Sequence, residues 1–207
     1  MIKKLALLTV SISSVFAMHT AELNINQYDL EAGVKLDMGQ FNTTIEPNTT
    51  FIGFNYLKAD TEHDSIAGNS NIDELIDFNF MVKQKIENTD LTVGLGIKAV
   101  YTSNKFDKKY DYLSLPIGAE IMYKLPLDIP TPLKLKASAN YAPSSLSFSD
   151  ADGYLDYRFE MYLELMEKAS VYLGYRNIET EYDTKYYHYN NDITYNKSTY
   201  FGIKFSF

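Results

Sequence analysis

The chain has 207 residues and a formal charge of −8, with 27 acidic side chains against 19 basic ones, so it offers no basic surface for a phosphate backbone and argues against nucleic-acid binding. It contains no cysteine, which excludes disulfides, thiolate zinc sites, iron–sulfur clusters and cysteine nucleophiles together. A mean hydropathy of −0.24 excludes a helical membrane protein, while 18 Tyr and 12 Phe among many Thr and Ser make a strand composition.

Lys3 and Lys4 precede an apolar run from Leu5 to Phe16, and Val15-Phe16-Ala17 fits a small-x-small cleavage pattern. Residues 1–17 therefore read as a secretory signal peptide, with cleavage at Ala21 as the alternative, and residues 18–207 as one domain with a charge near −10. Along that domain no 3.6-residue period is sustained. Glu22 to Asn26, Leu30 to Met38, Thr50 to Lys58 and Ile72 to Lys85 are strand candidates. Leu91, Val93, Leu95, Ile97, Ala99 and Tyr101 then form one apolar row, opposite Thr92, Gly94, Gly96 and Lys98. The same alternation recurs over Leu113–Tyr123, Leu133–Tyr141 and Leu155–Leu165, and Ser170 to Glu181 and Ile193 to Phe207 complete the set. Alternation with period two means strands with one apolar and one polar face.

Ten such strands share 190 residues, which suits strands of about a dozen residues tilted across a membrane. Connections alternate in length. Ala59 to Asn71, Ser103 to Lys109, Pro143 to Asp152 and Thr180 to Asp192 are long and polar, whereas Glu87 to Asp90 and Glu167 to Lys168 are tight; Gly39 to Asn48 is long on the rim expected to be short. Pro126, Pro130 and Pro132 fall in a turn, where a missing amide donor costs the ladder little. The expected fold is all-β, a transmembrane antiparallel up-and-down β-barrel of ten strands. An eight-strand barrel with Glu22 to Met38 outside the wall is the alternative.

A soluble barrel would turn the apolar rows inward. Three features favour the opposite arrangement. The polar rows are small or carry mixed charges (Lys98, Glu120, Lys136, Arg158, Glu160, Arg176, Lys204), as a narrow polar lumen requires. Tyr101, Tyr112, Tyr123, Tyr141 and Tyr172 lie near strand ends, where interfacial girdles sit. The chain also closes on Phe201, Ile203, Phe205 and Phe207 in alternation, with Gly202 between them. This resembles the C-terminal signature by which the barrel assembly machinery recognises outer-membrane barrels, with Tyr200 at its polar position.

The segment Tyr141-Ala142-Pro143-Ser144-Ser145-Leu146-Ser147-Phe148-Ser149-Asp150-Ala151-Asp152-Gly153-Tyr154 and the strand Val171-Tyr172-Leu173-Gly174-Tyr175-Arg176-Asn177-Ile178-Glu179 resemble the YfaZ family of outer-membrane proteins, as does the opening Leu23-Asn24-Ile25-Asn26. The close resemblance covers the last third of the chain, and the layout agrees along the rest. It implies an outer-membrane barrel, and the even strand count with alternating connection lengths leads to the expectation that both termini are periplasmic and that lipid and lipopolysaccharide surround the wall. The resemblance implies no reaction.

Candidate chemistry is sparse. His63 and His188 fall in loops of one rim, where solvated histidines are commoner than metal ligands. Asp150-Ala151-Asp152-Gly153 has Phe148 and Phe159 where a calcium loop needs oxygen ligands, so its carboxylates read as turn caps. Without a histidine on a strand there is no positioned general base, and neither an enzyme nor a cofactor is expected. Lys105, Lys108 and Lys109 read as a solvated run rather than a lipopolysaccharide phosphate site. Glu120, Lys136, Arg158, Glu160 and Arg176 form the expected lumenal ion-pair cluster. The expected role is structural or surface-interacting with a largely blocked lumen, and the alternative is a small passive channel.

Overall fold

A computed structural model describes residues 19–27, 29–59, 74–104, 110–182 and 192–207. The chain runs β1 (Thr20–Ile25), β2 (Asp29–Asp37), β3 (Thr50–Ala59), β4 (Glu74–Lys85), β5 (Leu91–Asn104), β6 (Tyr110–Ser114), β7 (Ile117–Lys124), β8 (Leu133–Ala142), β9 (Ser147–Ser149), β10 (Ala151–Met166), β11 (Ala169–Tyr182) and β12 (Asp192–Ser206). All pairings are antiparallel between neighbours. The sheet closes where β1 meets β12, Thr20 opposite Ser206 and Ile25 opposite Phe201. No helix among the described residues is long and apolar enough to cross a membrane.

The wall has ten strands, because β6 and β7 are two halves of one. Both pair with β5, Val100 opposite Ser114 and Ile97 opposite Ile117. The break falls at Leu115-Pro116, where the proline has no N–H to donate. There the Lys98 N–H still donates to the Pro116 carbonyl at 2.9 Å, and the Leu115 N–H donates to Leu146 at 2.8 Å. With β1 and β2 inside the wall, the eight-strand alternative falls.

The strand ends that flank 60–73, 105–109 and 183–191 lie on one rim, with the 143–150 connection and the tight link between β1 and β2; the other rim carries 38–49, 86–90, 125–132 and 167–168. We call these the loop rim and the turn rim. On the turn rim the 38–49 connection is folded rather than loose. The Asp37 carboxylate accepts from the Gly39 N–H at 2.9 Å and the Asn48 N–H at 2.7 Å, and Phe41 stacks on His19. Part of the expected loop does structural work on the loop rim: the Asp150 carboxylate accepts from the Asp111 N–H at 3.1 Å, and β9 pairs with β6. The 143–152 stretch, expected as a loop, is therefore partly an upward extension of the wall.

The apolar rows face out. Leu95 is 69% exposed, Ile117 60% and Phe159 56%, while Glu120, Asp156 and Glu160 on the alternate rows are buried. The tyrosines split. Tyr101, Tyr123 and Tyr141 are exposed on the outside, as a girdle requires. Tyr112 and Tyr172 are fully buried in the lumen, which corrects their placement in that girdle. Their positions give the reason: each shares a row with an inward residue two places on, Ser114 and Gly174.

Candidate functional site

The lumen is filled in layers, and their order follows from which strand position faces inward. Nearest the turn rim, Glu22 on β1 takes Lys35 of β2 at 3.1 Å and Lys204 of β12 at 3.6 Å, and Lys134 of β8 pairs with Glu164 of β10. One layer deeper, Glu120 binds Lys83 at 2.5 Å and Lys136 at 3.5 Å, and Lys136 reaches Glu160 at 2.7 Å. Glu160 accepts two further hydrogen bonds, from the Tyr200 hydroxyl at 2.7 Å and the Tyr162 hydroxyl at 3.1 Å.

Tyrosine rings pack against this layer through two reciprocal pairs on β11 and β12. Tyr172 stands opposite Gly202, and Tyr200 opposite Gly174. Each ring lies over the partner's bare backbone, so closely that a Cβ on either glycine would collide with it. Tyr172 also stacks on Tyr162 at 4.3 Å between centroids, and its hydroxyl donates to Asn24.

The third layer is built around two arginines. Arg158 of β10 binds Glu31 at 2.8 Å and Asp156 at 3.1 Å, and Lys98 meets Asp156 at 3.0 Å. Arg176 of β11 binds the same Glu31 at 2.7 Å and Asp29 at 3.0 Å. Its Nε donates to Asn196 at 2.9 Å, and Asn196 donates in turn to Asp29 at 2.9 Å. β1 and β2 are joined low on the wall, and no described strand pairs with β12 above Phe201 on that side. The Asp29–Arg176–Asn196 clamp spans this place with side chains where the backbone ladder stops.

Above the arginines the chemistry changes. Leu57, Leu75, Val100, Tyr112, Ala142, Ala151, Tyr154, Ile178 and Tyr182, from β3 through β11, pack as one buried cluster across the loop-rim end of the lumen. A cavity of about 60 Å³ lies among the charges, touching Lys83, Ser138, Asn140 and Arg158. A larger hollow of about 880 Å³ lies on the outside of the wall, among apolar side chains such as Ile121, Leu135, Phe159 and Leu173.

The five residues expected as one cluster all face the lumen, but they divide. Glu120, Lys136 and Glu160 belong to the lower network, Arg158 and Arg176 to the upper. Sequence reasoning missed Glu22, Asp29, Glu31, Lys83 and Asp156, most of which sit in strands with weaker alternation. Eight basic and seven acidic side chains make these pairs among the described residues, so the network is close to neutral and presents little net field to a passing ion. In the 143–152 segment, the Pro143 carbonyl accepts from Leu146 and Ser147, Asp150 ties to Asp111, and Asp152 is exposed. Phe205 projects outward from the closing strand, and the Phe207 N–H donates to His19 at 2.8 Å. His63, His188, Lys105, Lys108 and Lys109 lie outside the described residues.

A family model described as "YfaZ precursor" matches residues 3–207. No curated protein matches the chain.

Proposed function

The chain belongs to the YfaZ family, and on that premise we propose that it is an outer-membrane β-barrel protein with a structural or surface-interaction role and a filled polar lumen. The observation that carries the reading is the inverted barrel: exposed apolar rows around an ion-paired interior. About ten residues at a rise of about 3.3 Å, tilted by about 40°, span about 25 Å of hydrocarbon, and the row from Leu91 to Tyr101 has that length. On this reading residues 1–17 are a secretory leader removed on export, both ends of the mature chain are periplasmic, and the loop rim faces outward. The partners are lipid and lipopolysaccharide around the belt and the barrel assembly machinery during insertion.

No reaction belongs to this proposal, because the lumenal carboxylates and cations are bonded to one another rather than held ready for a substrate. The test is refolding of residues 18–207 from denaturant in the presence of phospholipid vesicles. The protein should float with the vesicles and show heat-modifiable mobility. A chain that stays monomeric in buffer without detergent would overturn the membrane reading, and steady single-channel openings of the inserted protein would return the small passive channel in place of the filled barrel.

A further inference from the structure

We infer that the lumen is a one-ended chamber, wetted from the turn rim and sealed at the loop rim by the apolar collar rather than by the ion pairs. Two observations carry this. The most exposed lumenal charges lie at the turn rim, the side chains of Glu164 and Lys134 at about 30% and Lys204 at 25%, whereas those further in are at 17% or less, with Arg158 still at 12% beside the cavity and Arg176 at 1%. The collar beyond them is closed, with Leu57, Val100, Tyr112 and Ile178 at 1% or less.

The two kinds of layer differ in what they do to water. Ion pairs exchange partners with water at modest cost, and the cavity beside Arg158 has room and polar lining for a few molecules. A packed layer of Leu, Val, Ile and Tyr gives an entering water almost nothing to bond, so it excludes water even where it is thin. One collar hydroxyl is tied into the wall, Tyr112 donating to the Gly153 carbonyl, and beside it the Thr102 hydroxyl donates to the Glu74 carbonyl at 2.7 Å. Small solutes in the periplasm thus reach the mid-lumen, while the outer face of the barrel presents a closed end. The barrel itself carries this inference, and only the assignment of compartments rests on the membrane reading.

Two conservative cysteine variants test it, in a chain that has no other thiol. Ser138→Cys places a thiol beside the cavity and Val100→Cys places one in the collar. In detergent micelles, where both rims are wet, a small cationic thiosulfonate should modify Cys at 138 at least about tenfold faster than Cys at 100. Equal rates would overturn the seal, and an unreactive Cys at 138 would overturn the open end. In vesicles, with orientation read by protease clipping of a terminal tag, the thiol at 138 should react only with reagent applied to the turn-rim side. Adding Tyr154→Ala should admit reagent from the loop-rim side as well. Labelling of the single Ser138→Cys variant from the loop-rim side overturns the proposal. A chain that fails to float counts against the membrane reading, while the micelle rates still decide the seal.

Discussion

Gly202 and Tyr172 occupy one another's space: the ring lies where a side chain at 202 would begin. A residue singled out in the sequence as part of a terminal signal therefore also has a packing reason to be glycine. Gly202→Val should destabilise the refolded barrel by about 1–3 kcal/mol through overpacking, measured by urea unfolding in micelles. Tyr172→Ala should relieve much of that penalty, so that the two substitutions are not additive. Arg176 is the opposite case, a charge whose removal leaves others exposed to cost. Arg176→Met takes its cation from Asp29 and one of two from Glu31, which keeps Arg158, and should cost about 3–5 kcal/mol, partly recovered in the same unfolding assay by adding Asp29→Asn. Both arginines could be read onto the inner face from β10 and β11, but their partner could not. Glu31 lies 127 residues from Arg158 and 145 from Arg176 in the chain, and only closure of the barrel brings β2 opposite them.

At the scale of the strand, alternation was informative because one face had to be apolar throughout. Ten strands and their approximate bounds were legible from period two, whereas the outward direction of the apolar row needed the mixed charges of the polar rows and the terminal aromatic pattern as well. The tyrosines were misread where proximity to a strand end was given more weight than parity; counting two places from Ser114 and Gly174 assigns Tyr112 and Tyr172 to the interior. The break at Leu115-Pro116 was hidden for a different reason, since the side-chain alternation continues across it unchanged while the neighbour on the side away from β5 switches from β9 to β8. Direction of the faces gives a sharp expectation. Ile97, on the outer row of β5, should tolerate Arg poorly, at about 2–4 kcal/mol near the bilayer midplane. The check is unfolding in lipid vesicles, where a cost near zero would place the residue outside the hydrocarbon.

For the whole molecule, the two rims give an assignment of sides. Cysteines introduced at Asp64 and Asn190, in connections of the loop rim, should be labelled by an impermeant reagent on intact cells, and one at Glu167 on the turn rim should not. Labelling at Glu167 alone would invert the orientation. Phe207 and Phe205 are expected, on the outer-membrane reading, to matter for assembly more than for final packing, since Phe205 projects outward and Phe207 lies just beyond the last paired residue. Deleting Phe207 should lower the yield of heat-modifiable protein in the outer membrane and leave material in the periplasm; unchanged yield would reduce these two to ordinary lipid-facing aromatics.

The seam between β1 and β12 has a kinetic meaning. Its six paired positions join residues at opposite ends of the chain, Thr20 with Ser206 and Ile25 with Phe201, and are the longest-range contacts in the wall. Hairpins such as β10–β11 close a two-residue turn and form on microsecond timescales, whereas the seam cannot exist until every intervening strand has been made and ordered. The barrel is therefore an open sheet with two raw edges for most of its folding, each a template for the wrong neighbour. On the membrane reading such a chain gains from a chaperone until β12 meets β1 and the pairing ends that exposure.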